Sequence, residues 1–132
     1  MSRSRRTVIA IAAVCIGLVR LTTGMPAAPA DKGKLAFNNF CRTCHSLKEG
    51  DNRLGPSLYR IVGAKAARSS DYAYSQGLRQ SGVTWDAATL DRWIENPESL
   101  VPNNSMKPYN GLTDAAVRKS IVDFLQNSRD GS

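Results

Sequence analysis

The sequence predicts a small all-α domain in which a few helices are joined by long loops. Apolar residues recur at helical spacing within residues 86–95. They recur again near the end of the chain, where Val117, Ile121, Phe124 and Leu125 form a stripe at i, i+4, i+7 and i+8. No stretch shows the strict alternation of apolar and polar residues that a half-buried strand would have. An all-helical fold class follows from these patterns.

The first helix is expected over residues 31–39. Asp31 can cap it, and apolar bulk along it includes Leu35 and Phe37. Gly33 is a poor helix former, so it indicates either the close approach of another backbone or a tolerated surface glycine. The apolar stripes of the first and last helices are expected to face and pack against each other.

The remaining elements follow from helix start and stop signals. Residues 46–63 read as loop, and a short helix is expected near residues 75–80. Thr84 is the expected cap of the helix over residues 86–95, which Pro97 ends because the residue before a proline avoids the helical region. Thr113 is the expected cap of the last helix, with Asp114 favourably placed in its first turn.

Residues 1–30 predict a secretory signal peptide. Three arginines precede an uncharged, mostly apolar run over residues 8–19, and small residues follow up to Ala30. A membrane span needs about 20 apolar residues, so cleavage after Ala30 is favoured over a retained anchor. The mature protein is then a single domain over residues 31–132.

The net positive charge of the predicted mature chain is smaller than that of the whole sequence. The whole sequence has 18 basic and 11 acidic residues, a net charge of +7, but four of the arginines belong to the predicted signal. The mature chain keeps a net charge of +3. This weak excess is no footprint for nucleic acid, although it permits a mild positive patch that meets an acidic protein partner.

Residues 41–45 read C-R-T-C-H, the signature for covalent attachment of a c-type haem. The thiols of Cys41 and Cys44 can bond to the haem vinyl groups, and His45, the only histidine of the chain, can supply an axial nitrogen to the iron. A redox dithiol would need a βαβ setting, which is missing. Structural zinc wants four Cys or His ligands, and the mature chain offers three.

Met106 is the candidate for the second axial ligand. It is the one methionine left after signal cleavage, and it lies in a proline-flanked loop over residues 101–108. A soft thioether favours reduced iron. Ligands on both faces would prevent oxygen or peroxide from binding without displacing one of them. The pair His45 and Met106 therefore favours electron transfer over catalysis.

Further residues are candidates for the haem surroundings. The Pro56 carbonyl could accept the His45 ring N–H and orient the imidazole, or the Gly55-Pro56 pair could be an ordinary turn. Tyr74, Trp85 and Trp93 combine apolar bodies with polar tips. They could line a haem pocket, or they could be simple core residues.

The order of these motifs resembles that of a small class I cytochrome c, close to the mitochondrial and bacterial c2 branch. The family pattern G-x-x-x-F-x-x-x-C-x-x-C-H is met by Gly33, Phe37, Cys41, Cys44 and His45. Further matches are G-P-x-L at residues 55–58, the tyrosine at 74, G-I-T-W at 82–85 and the stretch that ends in I-P-G-T-K-M at 101–106.

The resemblance implies the class I cytochrome c fold, with terminal helices packed together and loops wrapped around one covalent haem c. It implies that Gly33 and Phe37 contact Ile121 and Phe124. It also implies that the Pro56 carbonyl takes the His45 proton, and that Tyr74 and Trp85 lie on the propionate side.

Together with the predicted signal peptide, the resemblance implies a soluble, monomeric periplasmic electron carrier and not an enzyme. Its partners would be redox proteins such as a membrane oxidoreductase and a terminal acceptor or dehydrogenase. Electrons would enter and leave at the haem edge beside Cys41 and Cys44. Two rivals are a membrane-tethered subunit of an oxidase or dehydrogenase complex, and a haem enzyme or gas-binding protein with an open iron site.

The sequence departs from the family pattern at several positions. Trp93 stands where the mitochondrial branch has a tyrosine near the methionine sulfur, and residues 103–105 read N-N-S in place of G-T-K. Ala64 replaces a propionate-facing arginine, with Lys65 beside it. Leu78 replaces a haem-facing asparagine. The lysine ring around the haem edge is thin, and the candidates for what remains of it are Arg42, Lys48 and Lys107.

Overall fold

The computed structural model describes residues 28–128, and this part of the chain forms five α-helices. They are α1 (Pro29–Phe40), α2 (Gln76–Gln80), α3 (Ala87–Glu95), α4 (Pro97–Leu100) and α5 (Ala115–Asn127). Between residues 28 and 128 the only β pairing is one isolated bridge, between Lys65 and Thr84. The predicted all-α fold class is confirmed. Residues 1–27, most of the predicted signal peptide, lie outside the described residues.

Helix α1 begins two residues earlier than predicted. Pro29 occupies its first turn, where a proline loses no helical hydrogen bond and already has a helical φ. Ala28 is the N-cap, and no side chain caps the helix, so the prediction that Asp31 caps it is wrong. The Asp31 carboxylate lies instead in the first turn, where it interacts favourably with the helix dipole.

Helices α1 and α5 pack closely because Gly33 has no side chain. A β-carbon there would lie 2.5 Å from the carbonyl oxygen of Ser120 and 2.7 Å from Cβ of Phe124. The Phe37 and Phe124 rings pack with centroids 5.5 Å apart. Ile121, on the same face of α5, is fully buried. The expected close approach and the packing of the terminal helices are confirmed.

Helices α2 and α3 have side-chain caps at their first turns. Ser75 caps α2 by accepting from the backbone N–H of Leu78, as the predicted short helix requires. The cap of α3 is Asp86 and not Thr84. The Asp86 carboxylate accepts from the Thr89 N–H at 2.7 Å, and the Thr89 hydroxyl accepts from the Asp86 N–H at 2.8 Å. This reciprocal pair is a capping box.

Helix α4 was not predicted. Pro97 does end α3, and Asn96 between the two helices is extended, with φ −157° and ψ 94°. The same proline then starts α4, because its fixed φ suits a first helical turn. The side chain of Asn96 accepts from the Ser99 N–H at 3.2 Å and caps this new helix.

Helix α5 is capped by Asp114 and not by Thr113. One carboxylate oxygen of Asp114 accepts from the N–H groups of Ala116 and Val117, at 2.9 and 3.0 Å. Both candidate caps are good ones, and they are adjacent in the chain. The predicted apolar stripe of this helix faces the core, where Ile121 and Leu125 are buried.

Arg118 is a buried charged residue that joins α5 to α3. Its Nε lies 2.9 Å from an Asp91 carboxylate oxygen, and its Nη1 donates to the carbonyls of Leu112 and Thr113 at 2.9 Å each. A second ion pair reaches Glu95 at 3.3 Å. These acceptors satisfy the guanidinium away from water. They also fix α5 and the loop before it against α3.

No helix between residues 28 and 128 has both the length and the apolar character needed to cross a membrane. The apolar run at residues 8–19 lies outside the described residues, so this finding does not apply to it.

Candidate haem site

A cavity of about 420 Å³ lies among the helices and the long loops. This size is in the range typical of cofactor and small-molecule sites. It brings together every site residue predicted from the sequence, although they span most of the domain: Cys41, Cys44, His45, Pro56, Tyr74, Trp85, Trp93 and Met106.

The turn that follows α1 positions the C-x-x-C-H motif. Cys41 caps the end of the helix, and its carbonyl accepts from the backbone N–H groups of Cys44 and His45, at 3.1 and 2.9 Å. This tight turn directs both thiols and the imidazole to one cavity. The local fold therefore places the two sulfur atoms and the imidazole where all three could bind one cofactor.

The two cysteines of the motif, Cys41 and Cys44, are partly buried and form no disulfide bond. Burial, with a smaller contribution from nearby Cys44, raises the pKa of the Cys41 thiol to about 12. Disulfide exchange needs a readily formed thiolate, and the burial of Cys41 opposes one at that residue.

His45 is held by the Gly55-Pro56 turn. Its Nδ1 donates to the Pro56 carbonyl at 2.7 Å, as the resemblance implies, which leaves Nε2 free to act as a ligand. Desolvation lowers the pKa of His45, and the hydrogen bond to Pro56 opposes this shift. The imidazole is therefore kept neutral, the form that binds metals.

Gly55 gives this imidazole its space. A β-carbon on Gly55 would lie 2.3 Å from Cε1 of His45. The backbone N–H of Gly55 donates to the Cys44 carbonyl at 2.8 Å, which fixes the glycine against the motif. The Gly55-Pro56 pair is thus a support for the histidine and not an ordinary turn.

The loop before Met106 packs against α2 and folds around a buried asparagine. A β-carbon on Gly77 of α2 would lie 2.6 Å from the Pro102 carbonyl oxygen. Asn104 is buried, and its side-chain oxygen accepts from the Met106 N–H at 3.0 Å. Met106 itself is half-buried and lines the cavity. Sequence reasoning noted Asn104 only as part of a departure from the family pattern, two residues before the methionine, and missed its role in the loop.

Aromatic side chains form much of the cavity wall. Trp85 and Trp93 are buried, with ring centroids 5.3 Å apart. Tyr74 is half-buried, and desolvation raises its pKa, so its hydroxyl stays protonated and available as a donor. Tyr72 stacks edge-on against Tyr74 with centroids 4.9 Å apart, and its hydroxyl donates to the Leu54 carbonyl at 2.7 Å.

Two groups of lining residues were not predicted from the sequence. Tyr72 and Tyr109 line the cavity, and the Tyr109 hydroxyl donates to the Ile94 carbonyl at 2.6 Å. Lys65 and Arg68 also line it, whereas Ala64 does not. Lys65 directly follows Ala64, the position where the resemblance places an arginine, and Arg68 comes three residues after Lys65. Leu78 lies in the wall, as expected.

The residues of the cavity fit a haem. Apolar and aromatic side chains suit the porphyrin body, two thiols suit its vinyl groups, and tyrosine, lysine and arginine suit its carboxylates. An imidazole nitrogen and a thioether sulfur are both axial ligands used by c-type cytochromes. A helical domain with a C-x-x-C-H motif in the wall of such a cavity is typical of c-type haem proteins, and this is the class that the fold and the site indicate.

The chain belongs to the cytochrome c family. The model of the family described as "Cytochrome c" matches residues 30–129. Membership implies one covalently attached haem c, and the chain is a monohaem electron-transfer cytochrome.

Relatives from both branches of the family are similar to this chain. A cytochrome c of Cochliobolus lunatus is 33% identical over 104 residues, 78% of this chain and 95% of the relative. A cytochrome c2 of Rhodopila globiformis is 36% identical over 102 residues, 76% of this chain and 95% of the relative. Among solved structures, cytochrome cH from Methylobacterium extorquens matches with a TM-score of 0.68 and 36% identity, covering 74% of this chain and 97% of that one.

Proposed function

We propose that this protein is a monomeric, exported electron carrier whose haem iron is held by His45 and Met106. The observation that carries this proposal is that both side chains line one cavity together with the two motif cysteines. The bound haem would supply one-electron chemistry through its iron. The protein itself would supply the ligands, the surroundings of the haem and the surface that meets a redox partner.

The histidine side of the site supports a ligand that stays in place. The Pro56 carbonyl fixes the tautomer of His45 and raises the basicity of its other nitrogen. Gly55 leaves the space that the ring occupies, which a side chain at position 55 would fill. A rigid ligand needs little rearrangement when the metal changes charge, so His45 suits rapid electron exchange.

The methionine side supports a closed site. The Met106 thioether would be a soft ligand to the iron and would raise the reduction potential of the haem. If His45 and Met106 both hold the iron, small oxidants would have to displace one of these side chains to reach it, which favours a carrier over an enzyme or a gas-binding protein.

Tyr74, Trp85 and Trp93 are proposed to complete the haem surroundings. Tyr74 keeps its phenolic proton, so it can donate to a haem carboxylate, and Trp85 is proposed to lie on the same side. Trp93 packs against Trp85. It is proposed to close the wall where the mitochondrial branch has a tyrosine.

Electron exchange is proposed at the edge of the cavity near the motif. Phe40 and Leu54 line the cavity and are exposed by 47% and 77%. An apolar rim with a few surrounding charges suits brief docking of redox-partner proteins, with charge steering the encounter. The proposed partners are a membrane oxidoreductase and a terminal acceptor or dehydrogenase.

The signal-like residues 1–30 support the proposal that the protein is exported to the periplasm. Edman sequencing of the purified mature protein tests this. A first residue of Asp31 supports a soluble carrier. A chain that still begins before residue 8 contradicts cleavage and favours the membrane-tethered rival.

The decisive test of the axial ligands is Met106→Ala. The ferric wild type should show the weak far-red band that marks iron–methionine bonding. The variant should lose this band, bind carbon monoxide rapidly in its ferrous form and have a lower potential by voltammetry. Ser105→Ala, a change at the neighbouring exposed residue, is the control and should keep all three properties. An unchanged potential and band in Met106→Ala would exclude Met106 as the ligand.

A further inference from the structure

The carboxylate of Glu98 binds three donors from the loop that carries Met106. One oxygen, Oε1, accepts from the backbone N–H of Asn103 at 2.7 Å. The other, Oε2, accepts from Nδ2 of Asn104 at 3.0 Å and from Nζ of Lys107 at 2.9 Å. Glu98 lies in the first turn of α4, so the carboxylate is held on a helix while its three donors belong to the loop.

Asn104 carries this connection to the methionine. Its Nδ2 group donates to both Glu98 and the Val101 carbonyl, the latter at 3.0 Å. Its Oδ1 accepts from the backbone N–H of Met106 at 3.0 Å. Asn104 is 5% exposed, and a buried amide that loses a partner is costly. The chain of contacts from Glu98 through Asn104 to Met106 is therefore expected to act as one unit.

The backbone of the loop explains why it needs an anchor. Asn103 has a φ of 57°, in the left-handed region that residues other than glycine rarely adopt. The family pattern I-P-G-T-K-M has a glycine at this position, where the conformation costs little. In this chain, Glu98 accepts from the N–H of Asn103 and so stabilises the left-handed turn.

We propose that Glu98 is a positioning residue that, through Asn104, keeps the Met106 loop closed and sets how readily the Met106 sulfur leaves the iron. The inference rests on the proposed ligation by Met106. The Glu98–Lys107 ion pair is not sufficient for this role, because both side chains are about half exposed, at 46% and 57%, and surface ion pairs contribute little. The hydrogen bonds to Asn103 and Asn104 carry it.

The test measures binding of imidazole to the ferric holoprotein, since imidazole has to displace Met106. Glu98→Gln removes the charge and one acceptor that Asn104 uses. The variant should bind imidazole about three- to tenfold more tightly than wild type at the same ionic strength, as expected for a weakened charge-assisted hydrogen bond at a partly exposed site. Its far-red band should weaken on warming at a lower temperature than that of wild type.

Lys107→Gln is the matched control. It breaks the same ion pair but leaves the bonds from Glu98 to Asn103 and Asn104, so imidazole affinity should stay within about twofold of wild type. If Lys107→Gln and Glu98→Gln have equal effects, the ion pair is responsible and the proposal is overturned. Equal affinities for Glu98→Gln and wild type would also overturn it.

A Met106→Ala background separates this inference from the proposed function. With no sulfur to displace, Glu98→Gln should have no effect on imidazole affinity there. An effect of the same size in that background would mean a general change in the pocket and would contradict the positioning role. If Met106→Ala alone leaves the far-red band intact, the proposed ligation itself fails. Circular dichroism and covalent haem content check that each variant is folded and loaded.

Discussion

A β-carbon on Gly55 would lie 2.3 Å from Cε1 of His45, so the imidazole fills the space that any side chain at position 55 would need. The Nδ1 of the same ring donates to the carbonyl of the next residue, Pro56. One turn of the chain thus sets both the position and the tautomer of the imidazole. The resemblance pointed to the Pro56 carbonyl, but the steric role of the glycine needed coordinates.

Gly55→Ala is expected to displace the His45 ring, because the added methyl group would occupy the same space. The displaced ring would lose its hydrogen bond to the Pro56 carbonyl. The variant should lose about 1–3 kcal/mol of unfolding free energy, as overpacked sites do. It should also change the visible spectrum of the ferric haem. Denaturant titration followed by circular dichroism measures the first effect, and absorption spectroscopy the second.

Gly50→Ala is the control for that substitution. Gly50 has a φ of 68°, but no atom lies within 4 Å of the new β-carbon. Strain alone should cost about 1–2 kcal/mol and leave the haem spectrum unchanged. A Gly55→Ala protein with a wild-type spectrum would contradict the steric account of His45.

Gly33→Ala is expected to separate α1 from α5. The added methyl group would meet the Ser120 carbonyl oxygen at 2.5 Å, and a backbone atom cannot rotate away. The net loss of unfolding free energy should be about 1–3 kcal/mol, even though alanine is the better helix former.

The exposed neighbour Lys34 provides the comparison for Gly33. Lys34→Ala changes the same helix on its solvent side and should alter the unfolding free energy by no more than about 0.5 kcal/mol. Both variants are measured by guanidinium titration. Equal stability of Gly33→Ala and wild type would show that the two helices can separate without cost.

Asp86→Asn is expected to reduce the dependence of stability on pH. The bonds from the Thr89 backbone and hydroxyl hold the pKa of the Asp86 carboxyl below its ordinary value of 3.8. A lowered pKa in the folded state stabilises the fold above pH 3.8, and this contribution is lost as the pH falls through the folded-state value. Asparagine caps a helix about as well but does not titrate.

The measurement is the unfolding free energy of wild type and Asp86→Asn near pH 6 and near pH 3. The advantage of wild type over Asp86→Asn should shrink at the lower pH. Asp86→Ala lacks a cap at either pH and should be less stable than Asp86→Asn at both. Parallel pH profiles for wild type and Asp86→Asn would rule out a contribution from this carboxyl.

Local chemistry made much of the site predictable from the sequence. The motif at residues 41–45 indicates its cofactor directly, because C-x-x-C-H is the attachment signature of a c-type haem. Met106 could be selected because it is the one methionine after the predicted signal. The long helices could also be placed from their periodicity. Their caps could not, because Thr113 and Asp114 are both good caps and only the backbone geometry selects Asp114.

Features that depend on distant partners escaped prediction. Nothing in the sequence singled out Arg118, because its two carboxylate partners, Asp91 and Glu95, come from another helix. Helix α4 is only four residues long and depends on the Asn96 cap. The contacts of Glu98 with Asn103 and Asn104 depend on a turn that the sequence pattern does not specify.

The contact between α1 and α5 also bears on how fast the domain assembles. These helices hold the two ends of the described chain, so the residues between them form one large closed loop. Closing such a loop costs entropy before any contact repays it, and folds dominated by such distant pairings form slowly. The close approach of the two helices at Gly33 therefore requires that nearly the whole described chain be closed into one loop.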